Sequence, residues 1–164
     1  MIHKKGLFSI LISALIVTVV CALAPVNASA QKAHVKALVE SVQRPLYADY
    51  KGVRIGMTTE EVRAKLGKPT LPGDDQDYYI VSQTETVQIA YDAGHKAIAI
   101  SVDFIEGIGA PDYKAVVGPD VQVQPDGSMH KLVFYESLGF WVSYNRSAGG
   151  VTTVTITIQK LINQ

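Results

Sequence analysis

The stretch Gly56-Met57-Thr58-Thr59-Glu60-Glu61-Val62-Arg63-Ala64-Lys65-Leu66-Gly67-Lys68-Pro69 describes a short helix whose two ends are both encoded. Thr58 is placed as the N-cap. Glu61, three residues on, completes a capping box in which side chain and backbone satisfy each other's open donors. Met57 before the cap and Val62 after it have the spacing of a hydrophobic staple. Gly67 supplies a residue that tolerates positive φ at the C-terminal end, and Pro69 prevents continuation. A helix this short cannot stand alone in water, so the chain after it must supply a surface to cover.

That chain is strand after strand. Tyr78–Gln83, Thr86–Asp92 and Ala97–Phe104 read as three strands, with Ala93-Gly94-His95 as a hairpin loop. Val87, Ile89 and Tyr91 alternate with Gln88, Ala90 and Asp92; Ile98, Ile100, Val102 and Phe104 alternate with Ala97, Ala99, Ser101 and Asp103. Period-two alternation of this kind predicts one buried and one open face. The second half repeats the same order. A short helix over Pro111–Val117 ends at Gly118-Pro119, and strands over Met129–Glu136, Gly139–Tyr144 and Thr152–Gln159 come after it. The expectation is an α+β fold of two tandem helix-plus-antiparallel-sheet units, 31–106 and 107–164, with the short helices packed on one face of the sheet; the alternative is an antiparallel meander whose similar halves are coincidental.

Ahead of these lies a leader-like segment. His3, Lys4 and Lys5 precede an apolar run from Leu7 to Ala24, and Asn27-Ala28-Ser29-Ala30 offers an Ala-x-Ala cleavage site. Residues 1–30 therefore read as a secretory signal peptide, with export to the periplasm or medium after cleavage at Ala30. The alternative is an N-terminal membrane anchor, because the run reaches the lower limit for spanning a bilayer. The chain's single cysteine, Cys21, lies inside this run behind Val20, which is no lipobox context. Cleavage leaves no disulfide, thiolate nucleophile or Cys-based metal site. After it, Gln31–Gln43 places Val35, Leu38, Val39 and Val42 on one helix face.

The motif Gly-Met-Thr-x-x-x-Val-x-x-x-Leu-Gly-x-Pro at Gly56–Pro69 resembles that of the outer-membrane assembly lipoproteins of the BamE (SmpA/OmlA) type. The duplicated layout is similar to the related β-lactamase inhibitory protein fold. The first resemblance implies an envelope scaffolding role, the second a protein inhibitor of a hydrolase. This chain departs from both: it lacks a lipobox, carries Tyr78-Tyr79 where a Trp-x-Tyr is common, and has no cysteines for the inhibitors' disulfides once the leader is removed.

Chemistry is sparse. Lys and Arg number 15, as do Asp and Glu, and no basic stripe marks a nucleic-acid surface. His34, His95 and His130 lack metal-ligand spacing, and Asp74, Asp75 and Asp77 read as a solvated turn. There is no Gly-x-Ser-x-Gly turn, and Gly107-Ile108-Gly109 lacks the strand-to-helix setting of a phosphate loop. No enzyme, cofactor or metal is expected.

The better candidate is a sheet face. Val87, Ile89, Tyr91, Ile98, Ile100, Val102, Phe134, Phe140, Val142, Val154, Ile156 and Ile158 are expected to be covered by Val62, Leu66, Val116 and Val117. The opposite side is expected to show small and polar residues, among them Gln88, Ser101, Ser143, Thr155 and Lys131, with Trp141 and Tyr135 projecting. Large aromatics on a floor of small residues suit protein recognition. The function expected is an exported, non-catalytic protein-binding or scaffolding module of the bacterial envelope with an unidentified protein partner. The alternative is a secreted or periplasmic inhibitor.

Overall fold

The computed structural model describes residues 44–162. The signal-peptide reading of 1–30 and the helix expected over 31–43 lie outside them. The element order is α1 (Thr59–Leu66), β1 (Gln76–Ile80), β2 (Glu85–Tyr91), β3 (Ala97–Ile105), α2 (Tyr113–Val117), β4 (Met129–Tyr135), a 3₁₀ turn (Glu136–Leu138), β5 (Phe140–Arg146) and β6 (Thr153–Lys160).

All six strands belong to one antiparallel sheet in the order β1-β2-β3-β6-β5-β4. This corrects the expected pair of tandem helix-plus-sheet units. The last strands of the two meanders, β3 and β6, pair with each other from Ala99↔Gln159 to Ile105↔Thr153. The ladder is therefore continuous, and neither half keeps a core of its own. The similar order of elements in the two halves reflects two meanders meeting edge to edge, with two short α-helices beside them among the described residues.

The register explains the core. Two rows of directly opposed residues cross the whole sheet on its covered face: Asp77-Ile89-Ile100-Ile158-Val142-Val133 and Tyr79-Val87-Val102-Ile156-Tyr144-Lys131. Between the flanking strands these rows are β-branched or aromatic, the residue types that pack best on a pleated surface. Val62 of α1 and Val116 and Val117 of α2 cover them, joined by Tyr50 and Val53 from the segment before α1.

Helix α1 forms as its sequence dictates. The Thr58 side chain accepts from the Glu61 N–H at 3.3 Å, and the Glu61 carboxylate accepts from the Thr58 N–H at 2.8 Å. Gly67 sits at φ 83°, where a side chain would be strained. Residues just before the helix are stitched to the head of β3: Gly56 N–H donates to Ala97 O at 2.7 Å and Ala97 N–H to Met57 O at 2.8 Å. This anchorage, more than helix propensity, holds eight residues helical.

Candidate functional site

The open face of the sheet consists of three cross-strand rows. The first is Gln76-Ala90-Ala99-Gln159-Trp141-Phe134, the second Tyr78-Gln88-Ser101-Thr157-Ser143-Leu132, and the third Ile80-Thr86-Asp103-Thr155-Asn145-His130. Five of the expected face residues come together here: Trp141, Gln88, Ser101, Ser143 and Thr155. The centre is small, polar and internally bonded. Thr155 Oγ1 donates to Asp103 Oδ1 at 2.6 Å, the Ser101 and Thr157 hydroxyls lie 3.3 Å apart, and Gln88 Nε2 donates to Gln76 Oε1 at 2.6 Å.

Lys131 and Tyr135 are not on this face. They share the covered side with Val133, because Tyr135 pairs with Phe140 and Lys131 with Tyr144. The apolar residues that replace them on the open face are Phe134, 55% exposed, and Leu132, 38% exposed. The cause is visible in β4 itself. Its sequence Met-His-Lys-Leu-Val-Phe-Tyr puts large apolar groups at both parities, so alternation does not choose a face. The pairing with β5 chooses. It buries Met129 and Tyr135 and turns Leu132 and Phe134 outward next to Ser143 and Trp141. Ile98, expected in the core, is only half-buried. A register shift between Ala90 and Tyr91 brings Ala97 opposite Tyr91 and buries Ala97 fully instead.

The acidic turn also needs correction. Asp77 is not solvated; it lies near the start of β1 on the covered face and has 0% exposure. Arg63 of α1 grips its carboxylate with Nε at 2.9 Å and Nη2 at 2.8 Å. The Tyr91 hydroxyl donates at 2.9 Å, the Tyr79 hydroxyl at 3.4 Å and the Gly73 N–H at 3.3 Å. Burial by itself raises the carboxyl pKa. The bonds from Arg63, Tyr91 and Gly73 outweigh it and hold the group below its ordinary range. In return, burial and the bond to Asp77 push the Tyr91 hydroxyl up. Burial and the neighbouring Asp77 charge carry Tyr79 up to about 12. Both carboxylate oxygens are engaged, so this is a structural lock between α1 and β1 with no open valence for a ligand. The sequence signal that would have found it is the alternation of Asp77 with Tyr79.

A cleft of about 480 Å³ opens beside α2, lined by Glu106, Asp112, Tyr113, Asp126, Tyr144 and Arg146 among others. Its polar groups are largely occupied by the fold. Asp112 caps α2 through the Lys114 N–H, Asp126 accepts from the Ser128 N–H and hydroxyl, and Arg146 Nε donates to Gly127 O at 2.8 Å. The lining contains no His, Cys or Lys. His95 occupies the β2–β3 turn and His130 the far edge strand, so the two belong to different halves of the sheet. His34 lies outside the described residues. Among the described residues no group of three or more His, Cys, Asp or Glu is placed to hold a metal ion, and no helix is long and apolar enough to cross a membrane.

On the open sheet face the centre is bonded within the fold and Ser143 is buried, while Phe134 and Leu132 stand in the open beside the partly buried Trp141. No protein-family model, no curated protein and no solved structure matches the chain.

Proposed function

We propose that the protein is a non-catalytic protein-binding module of the bacterial envelope, exported by its N-terminal segment, and that it docks its partner on the β4–β5 half of the open sheet face. The observation that carries this reading is the side-by-side placement of Phe134 and Trp141, with Leu132 on the adjoining row, above a floor of small hydroxyl and amide residues. Aromatic side chains beside small neighbours supply much of the energy at protein interfaces, and exposed apolar groups gathered in one place mark a partner more than scattered ones do. The leader-like segment at 1–30 and the BamE-like motif at Gly56–Pro69 support the envelope setting.

The test is affinity capture from an envelope extract, with the parent protein and a Trp141→Ala variant as baits. A protein held by the parent and lost by the folded variant supports the reading. Identical captures, or none from either bait, remove the β4–β5 face as the docking site.

A further inference from the structure

The cleft of about 480 Å³ beside α2 lies on the other side of the sheet from the Trp141 row, and the fold leaves some of its polar groups unsatisfied. Tyr144, Arg146 and Val154 enter it from the covered face of β5 and β6. The segment leading into α2, the turn at Asp126 and Gly127, and the loop after β5 close round them.

Tyr144 is 5% exposed, with its ring edge-on to Tyr113 at 6.3 Å, yet its hydroxyl has no hydrogen-bond partner among the described residues. No fully enclosed side-chain nitrogen or oxygen among those residues lacks a partner, so this hydroxyl is not sealed in; it opens into the cleft that Tyr144 lines. Burial raises its pKa, the Arg146 charge lowers it and the Asp112 charge raises it, which puts the hydroxyl within reach of both. Arg146 spends Nε on Gly127 O at 2.8 Å, and its Nη2 runs along Gly127, where an added Cβ would lie 3.4 Å away. The guanidinium forms no ion pair among the described residues. Asp112 uses Oδ1 to cap α2 and leaves Oδ2 unbonded, and the Glu106 carboxylate has no partner among the described residues. One cleft thus presents a guanidinium without a carboxylate and carboxylates without a cation. Polar groups in such a setting call for a partner from outside the fold.

We propose that this cleft binds a small zwitterion, a free amino acid or a short peptide with both ends free, its carboxylate on Arg146 and the Tyr144 hydroxyl and its ammonium on Asp112 and Glu106. A purely anionic ligand would lie against Glu106, Asp112 and Asp126, and a purely cationic one against Arg146. A zwitterion meets each charge with its opposite, and the mismatch excludes ligands of a single sign. The guanidinium suits a carboxylate, because its donors match the two oxygens and the bond is charge-assisted. A cleft of this volume is in the range of small-ligand sites. The site is independent of the docking proposed for the Trp141 face, and neither reading rests on the other.

The test is an NMR titration of isotope-labelled protein, purified from cells expressing the full chain and followed through the amide signals of Tyr113 and Gly127. The probes are L-alanine, L-alanyl-L-alanine, and the same dipeptide with its amine acetylated or its carboxylate amidated. A free-ended probe is expected to give saturable shifts below about 10 mM, and each blocked peptide to bind about tenfold more weakly or worse. Saturation by L-alanine assigns the site to amino acids; saturation by the free dipeptide alone assigns it to peptides. Tyr144→Phe deletes a hydroxyl that bonds to nothing in the protein. It is expected to weaken the free-ended probe about two- to tenfold and to leave the urea unfolding midpoint unchanged. Asp112→Asn keeps the cap of α2, since Asn caps as well as Asp, and is expected to weaken the same probe about tenfold. The absence of saturable shifts with both free-ended probes overturns the proposal. So does equal binding of free and blocked peptides, or a Tyr144→Phe protein that binds as the parent does. A parent that captures an envelope protein but ignores the probes removes the cleft reading alone. One that binds a probe but captures nothing removes the sheet-face reading alone.

Discussion

The β1–β2 end of the sheet and the β4–β5 end are built from the same plan, a short helix and then a meander, yet they handle their side chains in opposite ways. At the β1–β2 end a carboxylate is buried and the groups around it are used: Asp77 takes two guanidinium donors of Arg63 along with two tyrosine hydroxyls. At the β4–β5 end Lys131 is only half-buried on the covered face, while Phe134 and Leu132 stand in the open. Polar groups can be closed off internally by a finite set of partners, and at the first end the buried carboxylate is closed off in this way, although Ile80 and Leu71 stand in the open there as well. Exposed apolar groups are completed only from outside. The difference puts the buried-carboxylate lock at one end and the proposed docking surface at the other.

The sharpest way to break this comparison is Asp77→Ala. It leaves the Arg63 guanidinium and two tyrosine hydroxyls facing a vacated site. Removing one partner of a buried pair costs about 3–5 kcal/mol. Arg63 is 38% exposed on its side chain and can be partly rehydrated, which puts the expected loss near the lower figure. Urea unfolding of the parent and the variant measures it. A loss under about 1 kcal/mol would mean that the lock does not close its end of the sheet. Ile156→Ala, in the central strand β6 and fully buried, is the reference for ordinary packing and is expected to cost about 2–5 kcal/mol by the same measurement.

The lock also sets a pH dependence. The folded Asp77 pKa is depressed, so its contribution is complete above the unfolded value and is lost as pH falls through the folded one. The tyrosines act in the opposite limb. Their folded pKa values are raised, so their contribution is complete below about pH 10 and is lost as pH climbs through the folded values, about 12 for Tyr79. Unfolding midpoints of the parent across this range are expected to form a plateau with a fall on each side. Asp77→Asn is expected to flatten the acid limb. A parent and variant with parallel profiles below about pH 5 would detach the acid limb from Asp77.

Much of this molecule is legible in its sequence. The bounds of α1, its cap and the presence of six strands come from local chemistry: the Thr58–Glu61 pair, Gly67, and clean alternation in β2, in β3 beyond Ala99 and in β6, although the first strand lies at Gln76–Ile80 and not at the expected Tyr78–Gln83. What local chemistry does not contain is which strands meet. Nothing within Ala97–Ile105 or Thr153–Lys160 says that they pair, and that pairing turns two expected units into one sheet. The candidate face was legible where alternation was clean, at Gln88, Ser101 and Thr155, and the parity of Val142 and Tyr144 placed Trp141 and Ser143 on the same side. It was not legible on β4, where apolar residues at both parities leave the choice to the strand it pairs with. For Asp77 the alternation with Tyr79 was legible, but its partner Arg63 comes from a different element and was not.

Replacing the cap sharpens the comparison at an intermediate scale. Thr58→Ala removes the acceptor for the Glu61 N–H and is expected to cost about 1 kcal/mol. That is less than the Asp77 loss, because the anchoring bonds from Gly56 and Ala97 survive it. A loss as large as that of Asp77→Ala in urea unfolding would mean that α1 is held by its cap and not by the lock.

The smallest effect expected is the most telling for the open end. Phe134→Ser deletes a ring that is more than half exposed and whose strand is already bonded to β5, so unfolding free energy is expected to move by no more than about 0.5 kcal/mol. Val142→Ala, on the neighbouring strand but facing the covered side with 0% exposure, is expected to cost several times as much in the same urea series. If Phe134→Ser instead destabilises the protein as Val142→Ala does, the ring is packed by something beyond residues 44–162, and the β4–β5 end is closed like the other. If stability is unchanged, a large aromatic side chain is held in water without any return to the fold. Its placement beside Trp141 then leaves the proposed docking role as the one to test by capture with Phe134→Ser as bait.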